Sequence, residues 1–245
     1  MDDNWYTHPT DFLSTLTQHD WQVLNRLGHK RFYRKDDMVF HVGSPSDEVF
    51  ILLEGRVKIF ELSMEGKEVI LWFCFPGELF GLSELFIGGG RQVNAQACSK
   101  VEILALKLND FERYIRQNPN LAMSVIQVLG YRLRQLSSAL LNLASDDVTA
   151  RVVKLLTRLS SHYGKPCENG IVLDIALTHQ EIADMVGASR QTVTTVLSTL
   201  RKKSIIKVQQ RFIVILDTQW IEGVCGKAPV SWFPPVRAGL MKHTA

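Results

Sequence analysis

Arg190, Gln191, Thr194 and Thr195 share one side of the segment ASRQTVTTVL, while Val193, Val196 and Leu197 recur at helical spacing on the other. The chemistry open to such a set is recognition. An arginine can bond guanine O6 and N7 with two parallel donors, and a glutamine amide can bond adenine, so the pattern suits the major groove of double-stranded DNA. The elements that must present these groups are also legible. Thr178 caps one helix and Glu181, three residues on, closes a capping box. Ile182, Ala183 and Val186 form that helix's inner face, Gly187 supplies a left-handed turn and Ser189 caps the next helix. Thr178, Gln180, Ser189 and Thr192, at the two helix starts, join the outward set as candidate contacts. The competing reading is an ordinary helical hairpin with a solvated polar face.

The following stretch, RKKSIIKVQQRFIVILD, has a basic helix end, a short strand, a polar QQR turn and a strand alternating Phe212, Val214 and Leu216. This predicts a winged helix in which Lys202, Lys203, Lys207 and Arg211 meet phosphates. A basic hairpin can also be a solvated edge that discourages strand pairing.

Charge divides the chain in the same way. Across 245 residues the formal net charge is +3, but residues 1–110 hold 11 Lys and Arg against 16 Asp and Glu, whereas residues 151–217 hold 10 against 5. An acidic front and a basic back predict two domains, the second built to meet a polyanion. The 46% apolar content suffices for packed cores. No apolar run is long enough to span a bilayer, and the Asp-rich N-terminus lacks the parts of a signal peptide, which predicts a cytoplasmic protein with no membrane partner. Cys74, Cys98, Cys167 and Cys225 lack CxxC spacing and read as reduced thiols. No nucleophile–base pair or metal-spaced cluster appears, which argues against an enzyme and against a metal site. A sensor module without DNA activity is the alternative; the outward Arg190 and the basic wing speak against it.

Ahead of the basic half, Gly43, Gly55, Gly66, Gly77 and the run Gly88, Gly89, Gly90 separate short β-rich segments such as VFILL, VKIFEL and EVILWFCF. That rhythm predicts a closed roll of hairpins. Before it, Thr17 caps a helix with Trp21, Leu24 and Leu27 on one face. Between the two halves, Ala122, Ile126, Leu129, Leu133, Leu136, Leu140 and Leu143 alternate steps of four and three, a heptad seam of about three repeats. A helix buried in its own domain can carry the same stripe. A dimerising helix has a geometric purpose here, because helix-turn-helix proteins commonly read two half-sites.

The arrangement resembles the CRP/FNR superfamily, that of the catabolite activator protein and the fumarate–nitrate reductase regulator, over roughly Phe12 to Asp217. The motifs that carry the likeness are VFILLEGRVKIF, PGELFGLSELF before the glycine-rich turn and Arg91, the long helix running into DDVTARVVKLL, and LTHQEIADMVGASRQTV. The resemblance implies an α+β chain: a β-roll effector domain with N-terminal helices over residues 1–115, a dimerisation helix over 116–146, a winged helix-turn-helix over 147–217, and a C-terminal tail over 218–245. It also implies a homodimer, a small-molecule, redox or gas effector, contact with RNA polymerase, and transcriptional activation. The tail holds Trp220, Trp232, Pro234 and Pro235, and reads either as packing against a domain or as a partner-binding segment.

Carried over residue by residue, the likeness places the effector site at Gly81, Leu82, Ser83, Glu84, Arg91, Gln92, Leu136 and Ser137. Cyclic-AMP-binding members have a glutamate where this chain has Leu82, a serine where it has Gln92, and a Thr-Ser pair where it has Leu136 and Ser137. A ribose hydroxyl buried against Leu82 without a partner costs on the order of 1–3 kcal/mol, so cyclic AMP is disfavoured. Arg91 and the glycine turn fit either an anion site or an arginine held in a surface pair; Glu84 lies in the same cassette, where its side chain could face outward. An N-terminal iron–sulfur cluster is disfavoured because no cysteine precedes Cys74. Cys74, His19 and His41 remain as unsupported haem ligands. In the reading helix Arg190 matches the family, whereas Gln191 and Thr195 replace a glutamate and an arginine, which predicts a different half-site. The polar segment SHYGKPCENG, Ser161 to Gly170, falls where relatives touch RNA polymerase, and equally reads as a plain hairpin.

Overall fold

The computed structural model describes residues 11–84, 87–209 and 212–225. The N-terminal unit opens with helices α1 (Phe12–Thr15) and α2 (Gln18–Leu27). Eight strands follow: β1 (His29–Tyr33), β2 (Met38–Phe40), β3 (Glu48–Glu54), β4 (Val57–Leu62), β5 (Glu68–Cys74), β6 (Leu79–Phe80), β7 (Asn94–Ala97) and β8 (Val101–Lys107). Helices α3 (Leu108–Gln117) and α4 (Pro119–Ser145) complete the unit. The second unit contains α5 (Val148–Tyr163), β9 (Gly164–Cys167), β10 (Gly170–Leu173), α6 (His179–Val186), α7 (Arg190–Lys202), β11 (Ile206–Gln209), β12 (Phe212–Ile215) and α8 (Thr218–Cys225). Contacts divide the described chain between Ser145 and Asp146, close to the expected end of the long helix.

The roll is two four-stranded antiparallel sheets, ordered β1-β8-β3-β6 and β2-β7-β4-β5. Strand β3 shows why its sequence is apolar throughout. Val49 and Ile51 pack toward the helices with Phe12, Leu24 and Phe111, whereas Phe50 and Leu52 pack toward the second sheet with Phe40, Ile59 and Ile103. A strand buried on both faces loses the alternation expected of a half-exposed one. The evenly spaced glycines are the turns: Gly43, Gly55, Gly66 and Gly77 all have positive φ. At Gly55 a Cβ would also strike the carbonyl of Lys100, so both backbone and space require glycine.

Helix α2 begins as read, with Thr17 accepting from the Asp20 N–H at 3.1 Å and Asp20 reaching back. Leu24 is fully buried, with Trp21 and Leu27 packed beside it. Asp20 also accepts from the Tyr114 hydroxyl at 2.8 Å, which ties α2 to α3.

Helix α4 has two apolar stripes. Leu121, Val125 and Val128, spaced four and three apart, are buried against the roll, and the next position of that stripe is Arg132. The predicted seam is the other stripe: Ile126, Leu129, Leu133, Leu136, Leu140 and Leu143 are all exposed, Leu133 at 67% and Leu140 at 70%. Ala122 is an exception, because it packs with the inner core.

One expectation for the second unit needs correction. The segment from Gly164 to Gly170 forms the hairpin that was one of its two readings: it supplies β9 and the turn into β10, and both strands join the wing in a sheet ordered β11-β12-β10-β9. Strand β12 therefore sits between two strands, and Ile213, Val214 and Ile215 are all buried in place of the expected alternation. The tail begins as helix α8, packed on α5 with Ile221 buried and Trp220 half-buried. Trp232, Pro234 and Pro235 lie outside the described residues. Among the described residues no helix is long and apolar enough to cross a membrane.

Candidate nucleic-acid interface and the interior of the roll

The turn between α6 and α7 is built by local chemistry. Thr178 Oγ1 accepts from the Glu181 N–H at 3.1 Å, and the Thr178 N–H donates to Glu181 at 2.8 Å. Gly187 takes the left-handed conformation at φ 62°, and the Ala188 N–H closes on the Ala183 carbonyl at 3.0 Å. Ser189 then caps α7 by accepting from the Thr192 N–H at 3.1 Å. Val193, Val196, Leu197 and Leu200 are buried, which turns the opposite side of α7 to solvent.

That outer side holds Arg190, Gln191, Thr194 and Thr195, all exposed. The hydroxyls of Thr194 and Thr195 donate to carbonyls one turn back, those of Arg190 and Gln191, at 2.8 and 3.1 Å. With those protons engaged, the two threonines present methyl groups and lone pairs, while Arg190 and Gln191 supply the donors. Among the described residues the Arg190 guanidinium has no partner. Other expected contacts are occupied within the motif: Thr178, Ser189 and Thr192 by capping, and Gln180 by donating to Asp184 at 2.7 Å. Lys202, Lys203 and Lys207 are exposed at the end of α7 and on β11. Arg211 lies outside the described residues. The sequence reading passed over His179, the first residue of α6, whose Nδ1 lies 2.8 Å from Thr194 Oγ1 on the reading face.

Inside the roll Arg91 is 2% exposed and surrounded by its own chain. One terminal nitrogen donates to the Gly81 carbonyl at 3.0 Å and to Glu84 at 3.2 Å, and the other to the Glu48 carbonyl. The guanidinium stacks 4.4 Å from the Phe40 ring centroid and 5.5 Å from that of Phe50. The pair expected at the surface is thereby corrected: the partner is Glu84 and the pair is buried, at 2% and 5% side-chain exposure. Glu84 faces inward because a guanidinium buried without a carboxylate would carry a charge that nothing nearby neutralises. Leu82 belongs to the apolar core, Ser83 is exposed, and Gln92 is exposed with its amide on the Gly90 carbonyl. Leu136 is 38% exposed, and Ser137, also exposed, donates to the Leu133 carbonyl, so in this chain neither lines the roll.

These residues do not fit a cyclic nucleotide. The guanidinium that would meet a phosphate is committed to Glu84 and two carbonyls, and Leu82 offers nothing to a ribose. From α4 it is Arg132 that enters the roll: it bonds Glu78 at 2.7 Å and stacks 5.1 Å from the Trp72 ring centroid, with Cys74 Sγ 3.9 Å away. Burial pushes the Cys74 thiol up to about 12, so it is a neutral thiol at neutral pH and a poor metal ligand. His19 and His41 are exposed. Among the described residues no three His, Cys, Asp or Glu side chains cluster to hold a metal ion.

Comparison with known proteins agrees with the fold. Residues 30–118 match the cyclic nucleotide-binding domain family and residues 150–222 the Crp-like helix-turn-helix domain family, the latter running into α8. The chain is 31% identical over 185 residues to the global nitrogen regulator of Nostoc sp., covering 75% of this chain and 83% of that one. It is 30% identical over 181 residues to the CRP-like cAMP-activated global transcriptional regulator of Mycobacterium tuberculosis, covering 74% and 81%. Among solved structures, a mutant of CooA from Carboxydothermus hydrogenoformans superposes with a TM-score of 0.75 at 25% identity, over 86% of this chain and 93% of that one. The c-di-GMP responsive global regulator CLP of Xanthomonas campestris shares the fold at a TM-score of 0.68 and 24% identity, over 81% and 97%. An α+β chain with a β-roll, a long helix and a winged helix-turn-helix, similar over most of its length to named transcription regulators, is a DNA-binding regulator and belongs to the CRP/FNR superfamily.

Proposed function

We propose that the protein works as a homodimer that reads an inverted repeat in promoter DNA, receives a small-molecule, redox or gas signal in its β-roll, and activates transcription through contact with RNA polymerase. It acts by binding, without a reaction of its own. Arg190 and Gln191 read bases, Thr194 and Thr195 pack their methyl groups on base edges, and Lys202, Lys203 and Lys207 hold phosphates. The exposed polar turn of the β9–β10 hairpin, with Lys165 and Glu168, is the surface offered to polymerase. The signal in this reading is no cyclic nucleotide, for the reasons given by Arg91, Glu84 and Leu82.

The observation that carries the proposal is the exposed stripe of α4. Six large apolar side chains at alternating steps of three and four face solvent on a helix whose other face is already buried. A second copy packed α4 to α4 would bury them, each leucine contributing about 1.5–3 kcal/mol. The twofold axis would then set the two α7 helices for half-sites about one helical turn apart. Replacing Leu133 and Leu140 together with Glu tests this. Light scattering should report monomers at micromolar concentration with the far-ultraviolet circular dichroism of the parent, and affinity for a two-half-site duplex should fall to that for a single half-site. A double variant that remains a full dimer would place the interface elsewhere.

A further inference from the structure

Among the described residues two cations are buried, Arg91 and Arg132, and each is met by a carboxylate from one short stretch of chain. Glu78, just before β6, meets Arg132; Glu84, in the turn after β6, meets Arg91. A guanidinium enclosed in this way needs a counter-charge, because an apolar interior does not sustain a lone one. The other carboxylates near Arg91 are engaged elsewhere, Asp47 with Lys107 and Glu48 with Lys107 and Arg31. Glu84 holds Arg91 by one oxygen at 3.2 Å, while its Oε1 and the Arg91 Nε are buried with no hydrogen-bond partner among the described residues. The guanidinium thus keeps an unused donor beside the carboxylate that neutralises it. The same arginine fixes the turn from Gly81 to Glu84 at both ends, through the Gly81 carbonyl and the Glu84 carboxylate. Between those ends Leu82 is buried in the core that holds Leu121, Val125 and Val128 of α4.

We infer that Glu84 is the roll's own anion: by neutralising Arg91 from within the chain it holds the turn beneath α4 in place, so that DNA binding does not wait on an anionic effector. The inference rests on the reading of the roll as the domain that governs α4 and, through it, the pairing of two α7 helices. It narrows the signal of that reading to one that brings no anion to Arg91. A dissolved anion competes there against a carboxylate that the chain keeps beside the guanidinium, and loses its freedom of motion on binding as well.

The experiment uses the full-length protein at fixed ionic strength, with chloride exchanged stepwise for acetate and, in a second series, for inorganic phosphate. It reads the melting temperature and, by fluorescence anisotropy, the dissociation constant for a duplex recovered by binding-site selection with the parent. In the parent neither anion should raise the melting temperature or the affinity. Glu84→Ala removes a methylene and a carboxylate, the atoms of an acetate ion, and leaves Arg91 buried without its counter-charge. In chloride this variant should melt below the parent and bind the duplex about tenfold more weakly, and acetate should restore both in a saturable manner. Glu84→Gln keeps the size of the side chain without its charge, and should lose the same affinity with no room for acetate to restore it. Arg91→Met combined with Glu84→Leu removes both charges, and should fold and ignore acetate. DNA binding by Glu84→Ala or Glu84→Gln at the parent's affinity in chloride would overturn the inference. So would a melting temperature of Glu84→Ala that acetate does not raise, an acetate response in the double variant, or a parent whose affinity climbs with either anion. Acetate that restores the melting temperature of Glu84→Ala but not its DNA affinity would overturn the reading of the roll as the governor of α4, and the inference with it.

Discussion

Arg91 and Arg190 are the same side chain placed in opposite circumstances. Arg91 is enclosed in the roll, bonded to Glu84 and to the carbonyls of Gly81 and Glu48 and stacked on two phenylalanine rings. Arg190 stands in solvent at the first position of α7, with no partner among the described residues. A guanidinium whose bonds close within its own fold holds that fold together; one left open on a rigid helix is available to a molecule from outside. Helix α4 repeats the contrast with apolar groups, since Leu121, Val125 and Val128 are buried by the roll and Leu133 and Leu140 are covered by nothing among the described residues.

Mutations should separate the two kinds of arginine. Arg91→Ala leaves the Glu84 carboxylate buried without its cation, and should lower the unfolding free energy of the roll by about 3–5 kcal/mol in urea titration. A loss under 1 kcal/mol would mean that the pair is not buried as described. Arg190→Ala should leave stability within about 0.5 kcal/mol of the parent. Its cost appears in binding, about 1–3 kcal/mol on the preferred site, read by anisotropy against a mismatched duplex. Lys203→Ala should have a smaller and uniform effect: every duplex weakens alike, and the slope of log affinity against log salt flattens by about one phosphate per protomer. The smallest expected signal is none. Titration of cyclic AMP at micromolar concentration should give no heat, because Arg91 is occupied and Leu82 cannot meet a ribose. A sub-micromolar isotherm would show that a ligand displaces Glu84.

What could be read from the sequence follows the range of the interactions involved. The helix-turn-helix was legible because its determinants are local: two capping residues, a glycine in the left-handed region and an apolar spacing all fall within about 25 residues of one another. The roll was legible from glycines that the structure finds at positive φ. The exposed apolar stripe of α4 was legible from its period. The second stripe was equally present in the spacing of Leu121, Val125, Val128 and Arg132, and a charge on an apolar stripe was the available sign of a buried pair. Its partner Glu78 lies 54 residues away, and nothing local announces it. The same holds for β12, whose alternation vanishes because β10, distant in sequence, pairs with it. Glu84 could not be oriented because its turn has no period, and Leu136 and Ser137 were carried over from relatives whose helix meets a ligand that this roll does not fit. His179 was passed over because a single histidine has no pattern; only its distance to Thr194 marks it.

The central claim is that α7 reads DNA as one half of a symmetric pair, and site selection from a random duplex library, carried out in parallel on the parent and on Arg190→Ala, tests it most directly. The account predicts an inverted repeat with half-sites about one helical turn apart for the parent, and the same repeat with relaxed preference at one symmetric guanine for the variant. Selection of no inverted repeat by the parent, or identical base preferences for the two proteins, would contradict it.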